Sequence, residues 1–364
     1  MIKVLQSTGA LNMGGAETMV MNIYKALDYS KIKFDFVVSG TEIGEYEKQI
    51  NSKVSCVYHI SKRSESLYKH LRDLYRVVKS NHYDIVHFHT QNAFLTVLDI
   101  LMVKLAGVNN VVVHSHNTMD WRADGVVKLH KIFRPILNML TTKKISCGED
   151  AARYLYGNCK NVEILPLPVN CEEYLFDKNK YLDLRNKYGV TGNKVIAHTG
   201  RFSDVKNHTF LIDIFNEYLK IEPNSILFLM GDGELKKEIE DKVRNLNLVN
   251  KVVFWGNVSD VNNKLIAADC FVFPSKYEGF PTVVIEAQAA GLPSIISDTI
   301  TKDIKLTDLI SQVSLNSSAK EWADIIYKVC EKDSERSEYN SFIKNKYDIS
   351  VTVNKLMKIY GELV

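Results

Sequence analysis

One pattern constrains this chain more than any other: a short apolar run followed by a longer segment of helical period, repeated many times and broken once in the middle. Residues 2–5, 34–38, 85–88 and 111–113 are apolar runs of strand length. Between them, segments such as 16–27, 68–78 and 94–105 place apolar residues at helical spacing. This is the β-α-β rhythm of a parallel sheet covered by helices. A second series of runs follows at 195–198, 226–230, 252–255, 270–273 and 294–296. Pro166 and Pro168 separate the two series, and closely spaced prolines interrupt regular structure. The expected architecture is α/β, with a Rossmann-like domain over residues 1–170 and a second over 171–349. The 364-residue length suits two domains of roughly 100–200 residues. The apolar-periodic tail, 350–364, reads as a final helix with no strand after it.

Charge and cysteine usage exclude several function classes. With 46 basic and 43 acidic side chains, the net charge is +3, far from the basic excess of nucleic-acid-binding domains. None of the six cysteines forms a C-x-x-C pair, and a chain of this length has no need of disulfide staples. Reduced thiols in the cytoplasm are the expectation. The start, Met1-Ile-Lys-Val-Leu-Gln, lacks the apolar core of a signal peptide, and the most apolar stretch, 94–108, carries Asp99 and Lys104. The chain is therefore expected neither to follow a cleaved signal nor to span a membrane. Two basic stretches, 62–79 and 121–144, interleave Lys and Arg with apolar residues. They suit peripheral contact with anionic lipid; an ordinary solvated helix face is the alternative.

Candidate chemistry clusters where strands give way to helices, the place where open α/β sheets bind ligands. After the first strand, Gly14 and Gly15 precede a helix, where close backbone approach and free amides favour an anion; a plain structural turn explains the same residues. The spacing is not G-x-G-x-x-G, so a dinucleotide site is poorly supported. After residue 199, Gly200 and Arg201 lead to Lys206, two cations suited to a diphosphate through charge-assisted bonds of roughly 1.5–3 kcal/mol each. Residues 231–234 look like a tight turn beside them. The most informative segment runs from Pro274 to Pro293. In it, Pro281 is expected in the first helical turn, and Glu286 stands alone in the second turn of an otherwise apolar helix. A carboxylate in such company needs a partner, and a ribose diol supplies two hydroxyl donors. Glu278 lies in the preceding loop, where amides near Gly279 and Phe280 suit a polar ligand. Two H-x-H pairs, His87 with His89 and His114 with His116, end strands of the first series, each pair on one strand face. Buried structural histidines, or a metal site, are the competing readings. No D-x-D triplet, and so no visible Mg²⁺ or Mn²⁺ clamp, occurs in the chain.

In combination these motifs resemble the retaining glycosyltransferases of family 4, with the GT-B fold, and the Gly-Gly-Ala-Glu-Thr wording at 14–18 is similar to the bacterial exopolysaccharide and capsule branch. The most specific element is E-x7-E, Glu278 to Glu286, followed by Gly-Arg…Lys-Asn, Gly200 to Asn207. The resemblance implies two parallel sheets facing each other across a cleft, with the last helix packing back on the first domain. It implies a nucleotide-diphosphate sugar as co-substrate, UDP favoured, a hexose transferred to a saccharide or lipid-linked saccharide, and no divalent metal. Arg201 and Lys206 would bind the diphosphate and stabilise the leaving group. Gly14 and Gly15 would approach the donor from the other domain. Glu286 would hold the ribose; Glu278, Gly279 and Phe280 the transferred sugar; Gly256 and Val258 the base. His116 would contact the sugar near the reacting centre, with His89 and His114 on the acceptor side. The family pattern Pro-Asn-Gly-Val-Asp at the domain junction is here Pro-Leu-Pro-Val-Asn. Rival functions are a sugar-nucleotide epimerase on the same fold and a metal-dependent hydrolase using His87, His89, His114 and His116.

Overall fold

The computed structural model describes all residues except Met13, 117–123, Gly279, 331–335 and 337. The first sheet has seven parallel strands: β1 (Ile2–Ser7), β2 (Ile32–Ser39), β3 (Val57–Ile60), β4 (Ile85–Thr90), β5 (Asn110–Ser115), β6 (Lys143–Ser146) and β7 (Val162–Ile164). The second has six: β8 (Lys194–Thr199), β9 (Ser225–Met230), β10 (Val252–Gly256), β11 (Cys270–Phe273), β12 (Ser294–Ser297) and β13 (Ile310–Val313). Both are Rossmann-like. The strand order is β3-β2-β1-β4-β5-β6-β7 in one and β10-β9-β8-β11-β12-β13 in the other. In each, the chain starts mid-sheet, builds outward, then returns to the far side of its first strand. That reversal leaves a crevice beyond β1 and β4 in one sheet, and beyond β8 and β11 in the other.

The chain divides into two compact units, Met1–Pro168 with Ile349–Val364, and Val169–Asp348. The last helix, Ile349–Leu363, thus belongs to the first unit, where Val353, Leu356, Ile359 and Tyr360 join the core beside Val4, Phe34 and Val112. The second unit's main core gathers Val195, Ala197, Phe228, Phe271 and Phe273 of its strands against Val284, Ile285 and Ala287 of the helix Thr282–Ala289.

Four strands differ from the sequence-based expectation by being present at all: β3, β6, β7 and β13. Three of them are sheet edges, and β6 begins with Lys143 and Lys144, which places those lysines on a strand rather than a basic helix. Pro281 caps its helix from outside, one position before the first turn expected for it. Lys206 sits on a separate 3-10 turn, Asp204–Lys206, and not at the head of the next helix, because Asn207 takes a left-handed conformation (φ 56°) between that turn and the helix His208–Ile221.

Candidate functional site

In the second unit, the loops leaving β8 and β11 are tied to each other. The Lys276 amide donates to the Val205 carbonyl (2.8 Å), and the Asn207 side-chain amide donates to the Pro274 carbonyl (3.1 Å). This bracing carries Lys206 to Glu278: Nζ lies 2.6 Å from the carboxylate and 4.7 Å from the Phe273 ring centre. Both side chains are largely covered, at 20% and 15% exposure, so the pair is screened less than a surface ion pair. Arg201 stands apart from them, with 74% of its side chain exposed and its Nε bonded to Glu234 at 3.1 Å. The turn after β9 supports the Arg201 loop. The Phe202 amide donates to Asp232, and a Cβ on Gly231 (φ 134°) would collide with the Gly200 carbonyl, so only glycine lets the two loops nest.

Glu286 lies in the second turn of Thr282–Ala289. Burial pushes its carboxyl up to about 7, and a hydrogen bond from Tyr174 pulls the other way. Tyr174 is thereby an unforeseen partner, more than a hundred positions away in sequence and visible to no local pattern. Phe280 is half-buried and stacks on Tyr347 with ring centres 6.1 Å apart. Gly256 ends β10 at φ 67°, its carbonyl accepting from the Gly231 amide (2.8 Å), and Val258 packs against the core. Gly279 lies outside the described residues.

In the first unit, Gly14 caps the helix Gly15–Lys25. Neither glycine has a positive φ, and a Cβ on Gly15 would meet nothing within 4 Å. The fold itself makes no demand for glycine at 15. Glu17, in the first turn, is raised above its usual value by burial.

Parallel pairing sets His89 of β4 directly beside His114 of β5, so all four histidines share one sheet face. Their rings stack in a patch: 4.3 Å between His87 and His89, 5.1 Å between His89 and His116, 4.2 Å between His114 and His116. His87 and His114 are buried, whereas His89 and His116 stay partly open. Loss of water, reinforced for His87, His89 and His114 by neighbouring imidazoles, depresses every member: His87 to about 3, His116 to about 4, His89 and His114 well below the ordinary value. All are neutral at physiological pH. Gln6 and Tyr360, neither singled out by the sequence, complete the patch. Gln6 Oε1 is 2.9 Å from His89 Nε2, and the Tyr360 hydroxyl is 2.6 Å from His87 Nδ1. The one available signal is a polar residue, Gln6, directly after the apolar pair Val4 and Leu5 of β1.

Ligand nitrogens of His87, His89 and His114 lie within 4.8 Å of one another. A tetrahedral zinc site with bonds of about 2.0–2.1 Å needs its nitrogens about 3.4 Å apart and converging. The rings of His87 and His114 are nearly parallel, at 7°, whereas His89 is inclined to them by 29° and 36°.

The basic stretches divide. In the first, Lys62 pairs with Glu42 and Arg63 with the buried Asp99, so neither is a free surface charge. In the second, Trp121 and Arg122 lie outside the described residues. The helix Asp124–Leu140 there exposes Leu129, Ile132, Ile136 and Met139, spaced along one face, beside exposed Lys128 and Lys131. No helix among the described residues is long and apolar enough to cross a membrane.

Comparison with known proteins gives two family matches: Glycosyltransferase Family 4 over residues 13–173, and Glycosyl transferases group 1 over residues 182–348. EpsF of Bacillus subtilis (strain 168), named as a glycosyltransferase, is 33% identical across 99% of this chain and 96% of its own length. The UDP-Gal:alpha-D-GlcNAc-diphosphoundecaprenol alpha-1,3-galactosyltransferase of Escherichia coli is 28% identical across 81% of this chain and 80% of its own. Among solved structures, Anabaena HepE in complex with UDP superposes with a TM-score of 0.79 at 18% identity, covering all of both chains, which speaks for the fold.

Proposed function

The chain belongs to the family 4 glycosyltransferases, with the GT-B fold, and from that premise we propose that it moves a hexose, with retention, from a UDP-sugar to a saccharide or lipid-linked saccharide during bacterial surface-polysaccharide synthesis. The observation that carries the donor side of this reading is the covered Lys206–Glu278 pair, held by bracing between the β8 and β11 loops with Glu286 on the helix that follows. A lysine pinned by a carboxylate alone is a structural pair. One that lies in a switch-point crevice, with exposed Arg201 five residues upstream, is placed to trade that carboxylate for phosphate oxygens.

In the transfer, the anomeric C–O bond to the diphosphate breaks while the acceptor oxygen bonds to the same carbon from the same face. The acceptor proton passes to the departing phosphate oxygen. Negative charge grows on the diphosphate, and Arg201 and Lys206 stabilise it without a divalent ion. Glu286 accepts from the ribose hydroxyls, Glu278 and Phe280 border the sugar together with Gly279, and Gly256 and Val258 border the base. Gly14 and Gly15 admit the donor from the first unit, and His116 accepts from a sugar hydroxyl, with His89 and His114 beside the acceptor. The E. coli relative, which uses UDP-Gal and a lipid-linked acceptor, supports the choice of uridine and of a lipid-linked substrate. The exposed apolar stripe of Asp124–Leu140 with its lysines would rest on the cytoplasmic face of an anionic membrane.

Thermal denaturation with UDP, GDP or ADP, each with and without EDTA, tests the reading. Ligand at about 100 times its dissociation constant adds roughly 2.7 kcal/mol to the native state, a shift of several degrees. Stabilisation by UDP, indifferent to EDTA, is the expected result. Stabilisation abolished by EDTA would overturn metal independence, and indifference to all three nucleotides would overturn the donor site.

A further inference from the structure

We propose that Gln6 is a positioning residue: acting through His89, it fixes which nitrogen of His116 carries the proton and so presents a bare Nδ1 to a sugar hydroxyl. The inference rests on the sugar-contact role given to His116 above.

The case is built from hydrogen-bond capacity. Gln6 is 1% exposed, and its Oε1, 2.9 Å from His89 Nε2, can only accept. His89 Nε2 must therefore hold the proton. A neutral imidazole has one N–H, so His89 Nδ1 is bare. That atom lies 2.8 Å from His116 Nε2, which must in turn donate. The remaining nitrogen, His116 Nδ1, is left with a lone pair, buried and without a hydrogen-bond partner among the described residues. Such an acceptor is costly to bury unless something donates to it, and a pyranose hydroxyl does.

Two further contacts keep this line in register. Gln6 Nε2 donates to the Tyr360 hydroxyl (3.2 Å), on the side of the carboxamide away from His89. The Cys147 thiol, which burial pushes up to about 12 and so keeps protonated, donates to the His116 carbonyl (3.4 Å) and pins its backbone. Reversing the Gln6 amide would invert each proton in the line and leave an N–H at His116 Nδ1. Low basicity of the whole patch keeps the single-proton count valid across physiological pH.

The test uses the full chain with ¹⁵N-labelled histidine, reading ring-nitrogen shifts in the wild type, Gln6→Leu and Gln6→Glu, alongside transfer kinetics. The wild type should show His116 protonated at Nε2. Gln6→Leu should give a mixture of tautomers and lower kcat/KM about tenfold, as for one hydrogen bond lost in the transition state, with UDP affinity unchanged. Gln6→Glu still offers an acceptor to His89 and should restore the Nε2–H form. Finding His116 protonated at Nδ1 in the wild type would overturn the proposal, and that holds even if Gln6→Leu fails to fold. An altered tautomer in Gln6→Leu with wild-type kinetics would overturn its functional half. Failure of the underlying reading looks different: His116→Ala would then transfer sugar normally while the tautomers still respond to Gln6.

Discussion

The two sheets place opposite kinds of polar chemistry in the same topological position. Beyond β8 and β11 stand Arg201, Lys206, Glu278 and Glu286, charged groups on loops and one helix. Beyond β1 and β4, extending onto β5, stand four neutral imidazoles, a carboxamide and a phenol, carried almost entirely by strands and their ends. A crevice at a reversal of strand order is general to such sheets; what it recognises is decided by the residues at the strand ends. Full charges suit a diphosphate, and neutral acceptors suit hydroxyl groups. Loop-borne cations can also exchange partners at little cost, whereas stacked strand-borne rings cannot move without the sheet.

The largest expected effect falls on the charged side. Arg201→Ala should lower turnover about 10²–10³-fold, the usual cost of removing one donor from a developing anion, with melting temperature unaltered because the side chain is mostly exposed. Near-normal turnover would break the contrast, since the charged crevice would then have no charge to stabilise.

Acid should separate the units next. His87 and His116 are held near 3 and 4, against about 6.5 unfolded. Above pH 6.5 neither state binds a proton, and stability is fully present. As pH falls below that, the unfolded chain takes up protons first, and each group forfeits as much as about 2 kcal/mol by pH 5. His89 and His114 act in the same direction; His59, raised by Glu47, acts weakly against them. In the second unit, His198 and His208 lose likewise. Glu286 does the reverse. Its raised value penalises the fold increasingly between pH 4.5 and 7, and acidification to pH 5 returns about 2 kcal/mol. Hydrogen exchange by mass spectrometry at pH 7 and pH 5, corrected for intrinsic rates, should show β4 and β5 losing protection well before β8 and β11. Equal loss would mean that the histidine patch is not the neutral, buried cluster described.

Glu286→Gln sharpens the same contrast from the other side. Removing a carboxylate that is disfavoured in the fold should stabilise the ligand-free protein at pH 7.5 by as much as about 3 kcal/mol and weaken UDP binding. A variant no more stable than the wild type would show that Tyr174 already offsets the burial.

How far the sequence shows this division depends on burial and on distance along the chain. Central strands, covered on both faces, read as apolar runs and are unmistakable, as in Ile85–Val86 of β4 or Cys270–Phe273. At the sheet margins the signal fades: Val57–Ile60, Val162–Ile164 and Ile310–Val313 mix polar with apolar residues because one side meets solvent or a loop. Within the site, Glu278 and Glu286 are legible from their spacing around a helix start, and Lys206 from its place after a strand. Gln6–Tyr360 joins positions 354 apart, and nothing local at either end announces the other. Long-range polar contacts of this kind become visible only when the last helix is packed onto the first strand.

Tyr360→Phe gives the smallest and most discriminating effect. The ring, fully buried and edge-on to Phe34 at 6.2 Å, keeps its packing, so only the hydroxyl is lost. That loss strips a partner from both Gln6 Nε2 and His87 Nδ1, at about 1–3 kcal/mol for buried groups left unsatisfied. Protection of β1 and β4 amides should fall by that amount. Turnover should fall less than in Gln6→Leu, because the Gln6 oxygen still faces His89. Should the two variants slow transfer equally, the phenol would be the group that orients the amide, and the neutral crevice would depend on the last helix for its chemistry as well as its packing. Unchanged protection would instead mean that apolar contacts alone hold that helix, leaving the polar line to Gln6, His89 and His116.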